Sequence, residues 1–224
     1  MKIRNGAAWA VFVREWRSEW RTRAALNASV LFAVVAPVAL SFNLATQSLS
    51  PEALAGCLWS VLLFAALVGL PRAFVREEEA GTASQLRLHC APQAVLWGKM
   101  AFNLGLLFLT QLAAVPIFIV LLGAKIEQPF VLLVVLFAGD IGLAASSTLL
   151  GAIASQARAR GALFAAIAVP VLLPLLLSLS GATAAVLGAS GASVSAWPGL
   201  QMVAAYDAMV LAACWMLWEF VWLP

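Results

Sequence analysis

Three consecutive glutamates, Glu77, Glu78 and Glu79, open the most polar stretch of an otherwise apolar chain. Gly81, Thr82, Gln85, Leu86, Leu88 and His89 follow, and Pro92 closes the segment. The chemistry such a stretch can do is recognition, not bond making. Gly81 can take the left-handed conformation that ends a helix. Thr82 can cap a new one, and Gln85 three residues later completes a capping box. Pro92 drives Ala91 out of helical geometry, so the new helix should close near His89. These signals describe a membrane helix that overshoots its bilayer, stops, and gives way to a short surface helix over 77–90. A solvated loop would carry the same local signals.

Other reactive groups are scarce. Cys57, Cys90 and Cys214 are far apart, no CxxC exists, and His89 is the single histidine. That excludes a thioredoxin-like site and a Cys/His zinc site within this chain, and the cysteines read as small hydrophobes. A histidine can be an axial haem ligand, but a place beside Pro92 in a cytoplasmic segment favours a surface or partner contact. Nothing matches the phosphate loop GxxxxGK[ST]. The chain is expected to be a non-catalytic subunit, unable to hydrolyse ATP unaided, with no bound metal, cofactor or nucleic acid.

Asp140 stands alone among apolar neighbours. A carboxylate inside a membrane is costly and is a functional candidate by default; a buried carboxyl satisfied by a neighbouring helix is the equal alternative. Asp207, after Tyr206, is placed near the outer interface, and Glu219 near the inner end. Asn103 and Gln111 are expected to bond another helix. Pro170 and Pro174, one turn apart, should kink their helix and offer a hinge. Trp215, Trp218 and Trp222 fall on one stripe, read as an interface belt or a helix contact.

The elements that carry these groups follow from composition. The chain is 64% hydrophobic and 10% charged, where soluble domains are about a quarter charged, so it needs lipid as solvent. Stretches of roughly 20 apolar residues span a bilayer. Six qualify, over about 26–46, 51–73, 99–123, 129–155, 161–180 and 199–222. Before them, 7–23 reads as an amphipathic helix with Trp9, Phe12, Val13, Trp16 and Trp20 on one side. Arg14, Arg17, Arg21 and Arg23 lie on the other, and Glu19 can pair with Arg23. Tryptophan with arginine suits the headgroup region, so this helix should lie in the interface plane. Its charges run throughout, so no secretory leader is expected. Twelve of the thirteen lysines and arginines fall before the first span, between spans two and three, or in the turn at 156–160; Lys125 is the exception. That asymmetry puts both termini in the cytoplasm. The fold expected is all-α, one polytopic membrane domain over 1–224. A Gly/Ala/Ser-rich external loop over 181–198 is read as either flexible or a re-entrant hairpin.

The acidic run, the Gly-Thr pair and the short Gln-Leu helix ending at Ala-Pro resemble the intracellular loop of ABC-2 type exporter permeases. That resemblance implies a short helix docking into a groove on an ATP-hydrolysing partner. More of the chain narrows it. The arginine-rich helix leads into Ala24-Ala25-Leu26-Asn27. A small-residue fourth span passes through a two-arginine turn into Ala168-Val-Pro170-Val-Leu-Leu-Pro174, and the chain closes soon after the sixth span. Together these resemble CcmB, the haem exporter B family of cytochrome c maturation permeases. The chain departs from that family in having His89-Cys90-Ala91-Pro92 where the family has Leu-Leu-Ser-Pro. The resemblance implies a bacterial inner-membrane complex serving covalent haem attachment. Its partners would be an ATP-binding subunit, a second haem-handling membrane subunit and a small membrane subunit. Haem would be the transported ligand, with ATP in the partner. Glu77, Glu78, Glu79, Gly81, Thr82, Gln85, Leu86 and Leu88 would couple to the ATPase. Asp140, Pro170 and Pro174 are the intramembrane candidates. An ABC-2 permease for a lipid, polysaccharide or drug is the alternative, as is a channel, a secondary transporter or an assembly scaffold.

Reporter fusions at Gln47, Lys125 and Ala189 should report the outside, and fusions at Gln85 and Arg158 the inside. An inside signal at Ala189 would overturn this topology.

Overall fold

A computed structural model of the chain describes residues 5–44, 49–70, 81, 86, 90–155, 160–188 and 195–222. Among these residues are seven helices and no strand: α1 (Asn5–Thr22), α2 (Ala24–Leu44), α3 (Pro51–Gly69), α4 (Pro92–Leu122), α5 (Pro129–Ser155), α6 (Arg160–Val186) and α7 (Trp197–Trp222). The last six are each long and apolar enough to cross a bilayer. The protein is an all-helical polytopic membrane protein, with α1 as an amphipathic addition.

Proline and glycine set the boundaries. Ser50 accepts the Ala53 N–H at 3.3 Å and Pro51 opens α3. Ala91 is extended, with ψ 135°, as a residue before proline must be. Pro92, expected as the stop of the short helix, is also the first residue of α4, which begins there and not at Lys99. Gly123, with φ 66°, ends α4 in the left-handed conformation. α3 closes at Gly69, short of the expected 73. α6 runs on to Val186 instead of ending at 180, so the external loop loses its first part. That extension is held from inside: Thr183 is buried and its hydroxyl accepts the Trp59 indole N–H at 2.8 Å. Its small residues also admit α7, since a Cβ at Gly199 would meet the Ala182 Cβ at 2.8 Å.

α5 is the central element, buried along most of its length against α4, α6 and α7. It can be central because it is thin. Gly139 lies under the Trp59 ring and Gly142 under the Asp207 carboxylate, with no room for a Cβ at either. Small residues of this kind let membrane helices approach closely. α2 is the outermost span, packed on α3 and α4, with Leu31, Val35 and Phe42 exposed.

α1 is docked along α4. Its buried face is Val11, Glu15 and Glu19, one turn apart. A Cβ at Gly98 would come within 2.7 Å of the Val11 Cβ and 2.8 Å of the Ala8 carbonyl. Glu15 meets the Lys99 ammonium at 3.3 Å, with the two side chains 2% and 1% exposed. Trp16 meets Phe102 edge to face, at 6.3 Å between ring centres. One Glu19 oxygen accepts the N–H groups of Ala25, at 2.8 Å, and Leu26, at 3.0 Å. It thus satisfies donors that the first turn of α2 leaves open. The sequence opposes aromatics to arginines; the structure gives the buried face to two carboxylates. Arg23 turns the chain between the helices with φ 52°, its guanidinium over the Trp20 ring at 5.4 Å.

Removing one member of a buried ion pair costs about 3–5 kcal/mol, whereas replacing both with apolar groups is often neutral. Lys99→Met alone should therefore lower the unfolding free energy in detergent by about 3–5 kcal/mol. Glu15→Leu/Lys99→Met should recover most of that loss. A double variant as unstable as the single one would show that the pair does not hold α1.

Candidate functional site

The buried polar groups fall along two faces of α5. On the face toward α4, Gln111 donates to Asp140 Oδ1 at 2.7 Å and to the Leu136 carbonyl at 3.4 Å. Asn103 donates to Thr148 Oγ1 at 2.9 Å, and Thr148 donates in turn to the Ala144 carbonyl. The helices run antiparallel, so each partner is eight residues from its counterpart, about 12 Å along the axis. Asp140 is 1% exposed. Its second oxygen has no hydrogen-bond partner among the described residues.

On the face toward α7, Tyr206 donates to the Val171 carbonyl at 3.0 Å. Its single proton being used there, the 3.1 Å contact with Ser146 has the serine as donor. Asp207 is 8% exposed, and its Oδ1, against Gly142, has no partner among the described residues. The sequence places Asp207 near the outer interface. Instead it lies ten residues into α7, about 15 Å from the helix start, where α7 crosses the glycine of α5. Pro170 and Pro174 flank Val171 on the exposed side of α6, which is helical throughout. Prolines loosen a helix's own ladder, and here a tyrosine from α7 takes up the carbonyl between them.

At the other end of α4 stands the stretch expected from the sequence to couple to an ATPase. Glu77, Glu78, Glu79, Thr82, Gln85, Leu88 and His89 lie outside the described residues. Gly81 is exposed with φ 66°, the left-handed geometry a helix stop needs. Leu86 is helical and 8% exposed, inside this chain's own core, and its carbonyl accepts the Cys90 N–H at 3.0 Å. The Pro92 carbonyl then accepts the Trp218 indole N–H at 2.7 Å, and Gln93 donates to the Trp215 carbonyl at 3.3 Å. Trp218 stacks on Trp222 at 5.4 Å. Both are buried while the Trp215 ring faces out, so the expected stripe splits, with Trp218 bonded to the start of α4.

A comparison with protein families matches residues 6–216 to the family described as CcmB protein. The chain belongs to the CcmB family. A comparison with curated proteins returns no match. CcmB membership makes the chain a membrane permease component of a haem-export ABC system in cytochrome c biogenesis, a complex that includes an ATPase.

In this CcmB chain no group of three His, Cys, Asp or Glu side chains among the described residues could hold a metal ion. What the chain brings together is Gln111 with Asp140, Asn103 with Thr148, and Tyr206 with Ser146 and the carbonyl between the two prolines. The expected helix contacts of Asn103 and Gln111 are present. Four participants carry no expectation from sequence: Thr148, Ser146, Tyr206 and the Glu15–Lys99 pair. A signal for the first exists. Asn103 and Gln111 are eight apart, and so are Asp140 and Thr148.

Asp140→Leu leaves the Gln111 amide without its short acceptor, a cost of about 1–3 kcal/mol. Asp140→Asn keeps an oxygen at that position and should retain most of the stability. Unfolding in detergent and cytochrome c maturation in cells read both effects. A Leu variant as stable and active as the parent would return Asp140 to a passive position.

Proposed function

We propose that the chain is the permease subunit that converts ATP hydrolysis in a partner ATP-binding subunit into haem export, or into release of haem for covalent attachment to c-type cytochromes. It sits in the bacterial inner membrane with both termini cytoplasmic, beside a second haem-handling membrane subunit and a small membrane subunit. The observation that carries this reading is α4. It is one unbroken helix that starts where the coupling segment ends and bears Gln111, the residue holding Asp140. From Pro92 to Gln111 is about 28 Å, and the only proline within the helix, Pro116, comes after that point. A push that reaches Pro92 therefore travels to the middle of the bundle without crossing a further joint.

Roles follow from position. Glu77, Glu78 and Glu79 supply rim charges that orient the partner more than they bind it. Gly81, Thr82 and Gln85 shape the short helix. Leu86 ties it to the permease, which leaves Leu88 as the apolar anchor for the ATPase groove. Asp140 answers the movement of α4, and Pro170 and Pro174 give α6 freedom to bend. Haem is cargo, with no ligand from this chain.

A second reading has one observation in its favour. Asp140 and Asp207 each keep a carboxylate oxygen without a partner among the described residues, as a transport path of the chain's own would need. A pathway independent of ATP would work in liposomes that hold this chain alone; the permease reading expects no transport there.

The deciding variant is Gln85→Pro, in the third helical position of a segment only about eight residues long. Proline costs about 3 kcal/mol inside a helix and less in a first turn, and so short a helix has little margin. Membrane insertion should be normal, with loss of ATPase co-purification or of cytochrome c maturation. Insertion, co-purification and maturation all unchanged would make the segment a passive connector.

A further inference from the structure

The two faces of α1 have different fates. Val11, Glu15 and Glu19 are fixed against α4 and the start of α2. That fixes the rotation of α1 about its axis and turns Arg14, Arg17 and Arg21 away from the bundle. With Trp9 and Val13 these arginines line an open groove of about 720 Å³. Both carboxylates of α1, Glu15 and Glu19, are on the buried face, and Arg17 and Arg21 are exposed on the other side. Trp9 and Trp20, at the two ends, remain 65% and 56% exposed. Indoles of this kind sit at headgroup level in membranes. Arg17 and Arg21 are one turn apart, about 6 Å, and a guanidinium fork matches phosphate oxygens.

A cationic face bounded by indoles, on a protein that spans the bilayer, complements a phosphodiester with hydrocarbon beside it. We propose that this groove binds the phosphate of an anionic phospholipid headgroup and so seats α1 on the acidic inner leaflet. The site rests on the permease reading only in placing α1 on the cytoplasmic side.

The test titrates the full-length chain, in neutral detergent, with dioleoyl phosphatidylglycerol, dioleoyl phosphatidylcholine or inorganic phosphate, and counts bound lipid by native mass spectrometry. Co-purification of the ATPase subunit is followed in parallel. The parent should prefer phosphatidylglycerol. Arg17→Gln/Arg21→Gln should lose about fivefold in affinity per arginine, about 30-fold in all. Its phosphatidylcholine binding and unfolding midpoint should not change. Arg17→Lys/Arg21→Lys should keep most of the preference. Equal binding of the two lipids by the parent, or an undiminished preference in the Gln variant, overturns the site. Displacement of phosphatidylglycerol by an equal concentration of inorganic phosphate makes it a free-anion site and also overturns it. A Gln variant that loses the ATPase but keeps its lipid preference assigns the face to a protein, again against the proposal. Lipid preference that depends on the arginines, with no ATPase recovered by any form, upholds the site while removing the permease reading.

Discussion

A buried lysine must find a carboxylate, and the pairing of Lys99 with Glu15 organises much of the end of the bundle where α1 docks. It lets α4 run straight through a charged residue to Pro92 instead of stopping at it. It holds α1 against α4 where Gly98 leaves space for the Val11 side chain. With α1 so placed, Glu19 comes within reach of two open N–H groups of α2, and one short amphipathic helix joins two spans that would otherwise meet only through side-chain packing. Buried ion pairs add little net stability and much specificity of position when their partners are fixed; what this pair sets is register and rotation.

The middle of the bundle obeys a related rule. Lipid offers polar groups no hydrogen-bond partner, so within a bundle they are best satisfied by one another. They do so through α5, whose glycines at 139 and 142 bring a tryptophan and an aspartate against its backbone. The face toward α4 carries two side-chain rungs. The face toward α7 carries Tyr206, whose hydroxyl donates to the Val171 carbonyl between two prolines of a third helix. α5 thus links α4, unbroken to beyond Gln111, to α6, which carries Pro170 and Pro174.

Composition and charge asymmetry made the number of spans legible, because lipid imposes a length and a polarity that few sequences meet by accident. The ends were less legible. Lys99 looked like the edge of a span because a lone charge is costly, and its partner lay in a helix far away in sequence. The run from Gly181 to Val186 looked like a loop because small residues are poor evidence of helix; its helical state comes from the Trp59 indole reaching Thr183. The site was half legible. Asp140, Gln111 and Asn103 declared themselves as polar residues in apolar runs. Asp207 was misplaced because depth along a helix does not reveal which neighbour crosses it. Tyr206 gave no sign of its role, since its partner is a backbone carbonyl.

The distance along the chain between Glu15 and Lys99, 84 residues, bears on how the protein is made. Ribosomes add about 5–20 residues per second, so on the order of ten seconds separate the two residues during synthesis. Through that interval Glu15 lacks the Lys99 ammonium, and the first two spans can already be in the membrane. The nascent α1 must therefore wait at the membrane surface with the Glu15 carboxylate hydrated, and its docking on α4 belongs to the emergence of the third span. The docking of α1 is thus ordered in time by a contact distant in sequence.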